Sequence, residues 1–145
     1  MSDLLAVCTH HHSHTEDASN GREYWYSSRQ RRLLELASGD TLWLVTYSRK
    51  DKYCYLTERI VAVKVSLNTP EDTDYRYGLY RVDADNMRSA RYKVGQKPVD
   101  GVLRQLTFDP PNPIGARPGP LTMYLQAMRR LSRLDSRLLK QFADG

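Results

Sequence analysis

The stretch Arg22–Ser48, REYWYSSRQRRLLELASGDTLWLVTYS, decides how this chain is read. It opens with Tyr24, Trp25 and Tyr26 in a row. Three consecutive aromatics cannot all point inward from an extended backbone, because neighbours alternate sides. Ser28 is placed to cap a helix over Arg29–Ala37, whose apolar side is Leu33, Leu34, Leu36 and Ala37. Gly39 ends that helix, as a residue that tolerates the left-handed conformation. Thr41–Tyr47, TLWLVTY, is the most convincing strand of the chain.

Working outward, Leu4–Thr9 (LLAVCT) is a short apolar run read as a first, buried strand. A polar loop from His10 to Gly21 follows it and ends in Asn-Gly. Downstream of the central strand, a basic RKDK turn leads to Tyr53–Leu67, whose RIVAVKVSL suits a strand with one face buried. NTPEDTD is a surface loop, and GLYRVDAD and SARYKVG read as two further strands. VLRQLTF is ambiguous between strand and short helix. Residues 109–120, DPPNPIGARPGP, hold five of the seven prolines and read as a stiff connector. Beyond it, apolar residues at Leu121, Leu125, Met128, Leu131, Leu134, Leu138 and Phe142 step by three and four, the spacing of an amphipathic helical tail over 121–143. Ser132 with Asp135 three residues on could restart a second helix within it. This order gives an α+β fold in which a mostly antiparallel sheet curls into a small barrel with flanking helices.

At 145 residues, 40% hydrophobic and 27% charged, the chain reads as one domain with a real core. Cys8 and Cys54 sit in apolar surroundings and read as buried thiols rather than a secreted disulfide framework. With no long apolar run and no leader pattern at the N-terminus, a cytoplasmic protein without membrane contact is expected. The net charge of +5 favours anionic partners, most obviously nucleic acid. The sequence carries neither a Walker-type phosphate loop nor a Gly-x-Ser-x-Gly elbow, and its acids are scattered, so a non-catalytic module without cofactor is the simpler reading.

The aromatic segment, the short helix and the Gly39-Asp40 turn opening an apolar strand together resemble the PUA-like superfamily, which includes the EVE, YTH and ASCH domains. The RIVAVKV and GLYRV strands suit the same plan, and the resemblance extends over Leu4–Phe108. It implies a pseudo-barrel that binds RNA or DNA. In the EVE and YTH branches it implies an aromatic-walled pocket accepting a single, often modified, base turned out of its stack. Such readers work beside a nuclease or modification enzyme, which would be a partner here.

On that reading Trp25 and Trp43, with Tyr26, wall the pocket, since a flipped base needs flat apolar surfaces. Ser27 and Asp40 read polar edges, while Arg29, Arg31, Arg32 and Lys50 hold phosphates. Trp43 alternates with Leu42 and Leu44, which suits a core position equally. The four histidines fall within His10–His14. His10, His12 and His14 could bind a metal or act as acid and base in a small nuclease, though one short strand is an awkward frame for a tetrahedral ion. A polar loop near the binding face is the plainer alternative. A protein–protein adaptor docking through the amphipathic tail is the third reading.

Overall fold

A computed structural model describes residues 2–8 and 24–145. Its strands are β1 (Leu4–Val7), β2 (Trp25–Ser28), β3 (Thr41–Tyr47), β4 (Cys54–Leu67), β5 (Tyr80–Ala84), β6 (Ala90–Arg91) and β7 (Arg129–Arg130). The α-helices among the described residues are α1 (Asp100–Gln105) and α2 (Arg133–Asp144), and short 3-10 turns lie at Arg31–Glu35, Thr73–Tyr77 and Leu121–Leu125. The sheet runs β2-β5-β4-β3-β1-β7, with β6 also on β4.

The apolar runs of β1 and β3 are continuous because both faces of the central sheet are buried. Leu4, Ala6, Leu42 and Leu44 pack on one side, with Leu33, Ile60 and Val82. Leu5, Trp43 and Val45 pack on the other, with Leu103, Leu106, Phe108, Leu125 and Leu139. β1 lies parallel to β3, pairing Leu4 with Leu42 and Val7 with Val45, so the sheet is mixed. The remaining pairs are antiparallel.

β4 spans 14 residues and serves two partners. Its first part pairs with β3 and its second with β5. Register shifts at Leu44/Val45 and at Ala62/Lys64 mark the bends, as bulges do. The sheet therefore curls, yet it does not close into the expected barrel. Its edge strands are β2, four residues long, and β7, two residues long, and no ladder joins them. Side chains bridge the gap instead. Gln30, just past β2, donates through Nε2 to the Gln126 carbonyl at 3.1 Å and accepts the Met128 N–H through Oε1. Nearby, Arg130 of β7 pairs with Glu35 at 2.7 Å.

Two helices differ from expectation. Residues 29–37 form only the 3-10 turn Arg31–Glu35, because Ser28 belongs to β2 and its Oγ accepts from Gln30 N (3.0 Å) rather than capping a longer helix. The tail is not one helix. Arg129 and Arg130 are drawn into the sheet against Leu5 and Leu4, which breaks the helical run. α2 restarts at a capping box in which Ser132 Oγ accepts Asp135 N and Asp135 accepts Ser132 N. Asp135 also accepts from Thr107 N at 2.9 Å and Phe108 N at 2.8 Å, tying the helix start to the chain after α1. VLRQLTF resolves as the end of α1 followed by core residues Leu106 and Phe108. The Pro-rich stretch is more than a connector, since Ile114 is buried in the core. Cys8 and Cys54 are both buried free thiols. Among the described residues no helix is long and apolar enough to cross a membrane.

Candidate nucleic-acid interface

In a parallel pair the C-terminal ends of the strands lie at the same end of the sheet. At this end of β1 and β3 the structure opens a cleft of about 940 Å³. Val7 and Cys8 supply the end of β1, Thr46, Tyr47 and Arg49 the end of β3 and its hairpin. Tyr26, Ser28, Arg29 and Gln30 come from β2 and its continuation, Arg76 and Tyr77 from the 73–77 turn, and Thr122, Met123 and Gln126 from the 121–125 turn and its exit. The cleft thus occupies the gap that the sheet leaves open, and the Gln30 bridge to Gln126 crosses it.

Three tyrosines line this space. Tyr26 is almost wholly buried, and burial pushes its phenol well above its ordinary value, so it stays protonated. Tyr47 and Tyr77 are half-buried. Tyr77 is held from behind by Trp25, with ring centroids 5.5 Å apart and planes tilted by 38°. The Arg76 guanidinium lies 4.6 Å from the Tyr77 ring centre, a cation–π contact. Arg29, Arg49 and Arg76 are exposed and have no carboxylate partner among the described residues, nor does any Asp or Glu appear among the described lining. A concave surface with tyrosine walls and a rim of arginines is suited to a flat, anionic ligand.

The position of the 73–77 turn depends on Gly78, which has φ +145° and ψ 170°, a region essentially restricted to glycine. A methyl group there would meet Ser28 carbonyl carbon at 2.1 Å and Arg29 N at 2.4 Å. Bare backbone is what lets Arg76 and Tyr77 sit against Ser28 and Arg29. Asn68 secures the contact by donating through Nδ2 to Gly78 O (2.9 Å) and to Ser27 Oγ (3.0 Å).

Of the residues singled out from sequence, Tyr26 and Arg29 line the cleft and Trp25 backs one of its walls. Trp43 is placed elsewhere, in the core between sheet and helices and 3% exposed. The alternation that suited it to a core position prevailed because helices cover that face of β3. Ser27 points to the other side of β2 from Tyr26 and receives Asn68. Asp40 is buried in the turn before β3, where Oδ2 accepts Ala37 N at 2.9 Å and Ser2 N at 3.1 Å. Its role there is to hold a turn. Arg31 is exposed on the 3-10 turn, Arg32 pairs with Glu35 at 3.8 Å, and Lys50 stands at the exposed hairpin tip beside Arg49. Sequence reasoning missed Tyr47, Arg49, Arg76 and Tyr77. Tyr75-Arg76-Tyr77-Gly78 interleaves basic and aromatic residues as Tyr24–Arg29 does, and that signal was available.

His10, His12 and His14 lie outside the described residues. Among the described residues no group of His, Cys, Asp and Glu is arranged to hold a metal ion. No protein-family model matches this chain, and no curated protein matches it either.

Proposed function

We propose that this chain is a nucleic-acid-binding module that takes one unstacked nucleotide of a single strand into the cleft at the end of β1 and β3. The observation that carries this reading is the pairing of tyrosine walls with three arginines that have no carboxylate partner among the described residues, around a space of about 940 Å³. That volume lies in the range of small-molecule sites, enough for a nucleotide and its flanking phosphates. Tyr47 and Tyr77 offer π-faces for the base, each stack contributing about 1–3 kcal/mol. Tyr26 and Ser28, buried and hydrogen-bonded to each other, form part of the wall, and Arg29, Arg49 and Arg76 meet the phosphates. A modified or flipped base is the ligand that the PUA-like resemblance implies, and a pocket closed around one base is how such discrimination is achieved.

Fluorescence anisotropy with labelled single-stranded DNA and RNA, plain and base-modified, tests this at several salt concentrations. Three phosphate contacts give a slope of log K against log salt of about −2, at about 0.7 per contact on a single strand. Arg76→Ala should weaken binding and flatten the slope by about 0.7. Tyr77→Ala should weaken binding about 5- to 150-fold with the slope unchanged, the loss of one stack at about 1–3 kcal/mol. Affinity that ignores salt and survives loss of all three arginines in a folded protein rules the reading out and favours the adaptor.

A further inference from the structure

At the opposite end of β3 lies a second basic hollow, and we infer that it is a separate binding site for a phosphate-bearing group. It has a volume of about 420 Å³, with Trp43 and Arg59 among its lining. Arg88, from the turn before β6, and Arg137 and Lys140, from α2, also line it. Arg137 and Lys140 are three apart on the helix and so share a face. None of these last three has a carboxylate partner among the described residues.

One carboxylate belongs to the hollow, Asp3, and it is already engaged. Its Oδ1 accepts Thr41 N at 2.8 Å and its Oδ2 accepts the Ser136 hydroxyl at 2.8 Å. Arg59 is partly balanced by Asp144 at 3.5 Å. Three cations therefore remain against one carboxylate, brought together by two elements far apart in sequence.

A second, independent observation points the same way. Trp43 is 3% exposed, and among the described residues its indole Nε1 is buried without an acceptor, as is Arg59 Nε. Buried N–H groups are normally paired, and a hollow lined by residues rich in donors and poor in free acceptors suits an acceptor-only ligand. Phosphate oxygens are such acceptors and suit both guanidinium and ammonium groups. This site does not rest on the reading of the cleft. Along β3 the hollow reaches Trp43 and the cleft begins at Thr46, so their nearest lining residues are about 10 Å apart at about 3.3 Å per residue and the two share no lining residue.

The test uses the full chain and pyrophosphate as probe. The chain has two tryptophans, so two indole N–H resonances are expected in a ¹H–¹⁵N spectrum, assigned with Trp25→Phe. Millimolar pyrophosphate should shift the Trp43 resonance saturably. Arg137→Ala with Lys140→Ala, both exposed on α2, should weaken that response at least tenfold in a protein whose spectrum is otherwise native. Arg29→Ala with Arg49→Ala, in the cleft, should leave it unchanged. Comparing pyrophosphate, a 5′-phosphorylated dinucleotide and an oligonucleotide without terminal phosphates separates free phosphate, a strand end and a strand backbone as sources. A Trp43 resonance that stays put, or one that moves equally in the α2 variant, overturns the assignment.

Discussion

Gly78→Ala strikes the contact that fixes the cleft. The added methyl would sit 2.1 Å from the Ser28 carbonyl carbon and 2.3 Å from its oxygen, and both are backbone atoms that cannot swing aside. Overpacking of this kind costs about 1–3 kcal/mol. Holding a non-glycine residue at φ +145° and ψ 170° costs about 1–3 kcal/mol more. A total of about 2–6 kcal/mol corresponds to a fall in Tm of about 6–20 °C for a domain of this size. Gly101→Ala is the control, since it lies in α1 and a Cβ there meets nothing within 4 Å. It should leave Tm unchanged or raise it slightly, as Ala exceeds Gly in helix by about 0.5–1 kcal/mol. Thermal melts followed by circular dichroism, with oligonucleotide anisotropy below the melting range, read both consequences. If the β2 backbone and the 73–77 turn are forced apart, affinity drops with Tm for Gly78→Ala and not for Gly101→Ala. A Gly78→Ala protein that melts within about 2 °C of the parent refutes the close approach and with it the account of how Arg76 and Tyr77 are positioned.

Asp135→Ala removes the acceptor for Thr107, Phe108 and Ser132 N–H groups and should cost about 3–4 kcal/mol, a loss visible in denaturant melts; Asp135→Asn, which keeps one acceptor oxygen, should cost less. Gln30→Ala cuts the link between the two sheet edges. It should lower stability by about 1–3 kcal/mol and speed amide exchange at Met128, whose N–H loses its acceptor. At alkaline pH the sign follows from groups that hold their protons longer when folded. Burial pushes the Cys54 thiol up to about 11 from 9.0, and the hydrogen bond to Asp51 pushes Tyr55 up to about 12 from 10.0. Stability is therefore fully present below pH 9 and falls as pH rises through 11 to 12, where the unfolded chain has released protons that the folded chain keeps. Melting temperatures measured across that window should decline, and Cys54→Ala should flatten the first part of the fall.

How much was legible varies with how local the cause is. β1, β3 and most of β4 were readable because apolar runs and alternation are properties of neighbouring residues. The Ser132–Asp135 restart was readable for the same reason, its two hydrogen bonds spanning three residues. The tail as a whole was misread because helical spacing over 121–128 gives no sign that Arg129 and Arg130 will pair with Leu5 and Leu4, more than a hundred residues earlier. The barrel failed on a comparable point. Curling follows from a long strand with bulges, but closure needs two edges of adequate length, and β2 and β7 lack it. For the cleft, the aromatic and basic group before β3 supplied Tyr26, Arg29 and the backing indole of Trp25, while Tyr47 and Arg76-Tyr77 arrive from segments that only the fold brings near.

By itself, then, the sequence determined an α+β chain of net charge +5 with a central apolar strand and aromatics interleaved with arginines ahead of it. Periodicity, capping and charge act over a few residues and can be read along the chain. That both tryptophans are buried, which arginines lack a carboxylate partner among the described residues, and where the sheet stops short of closing were decided by tertiary structure. Burial and charge pairing belong to what stands across the gap from a residue, and that neighbour is set by the packing of distant segments.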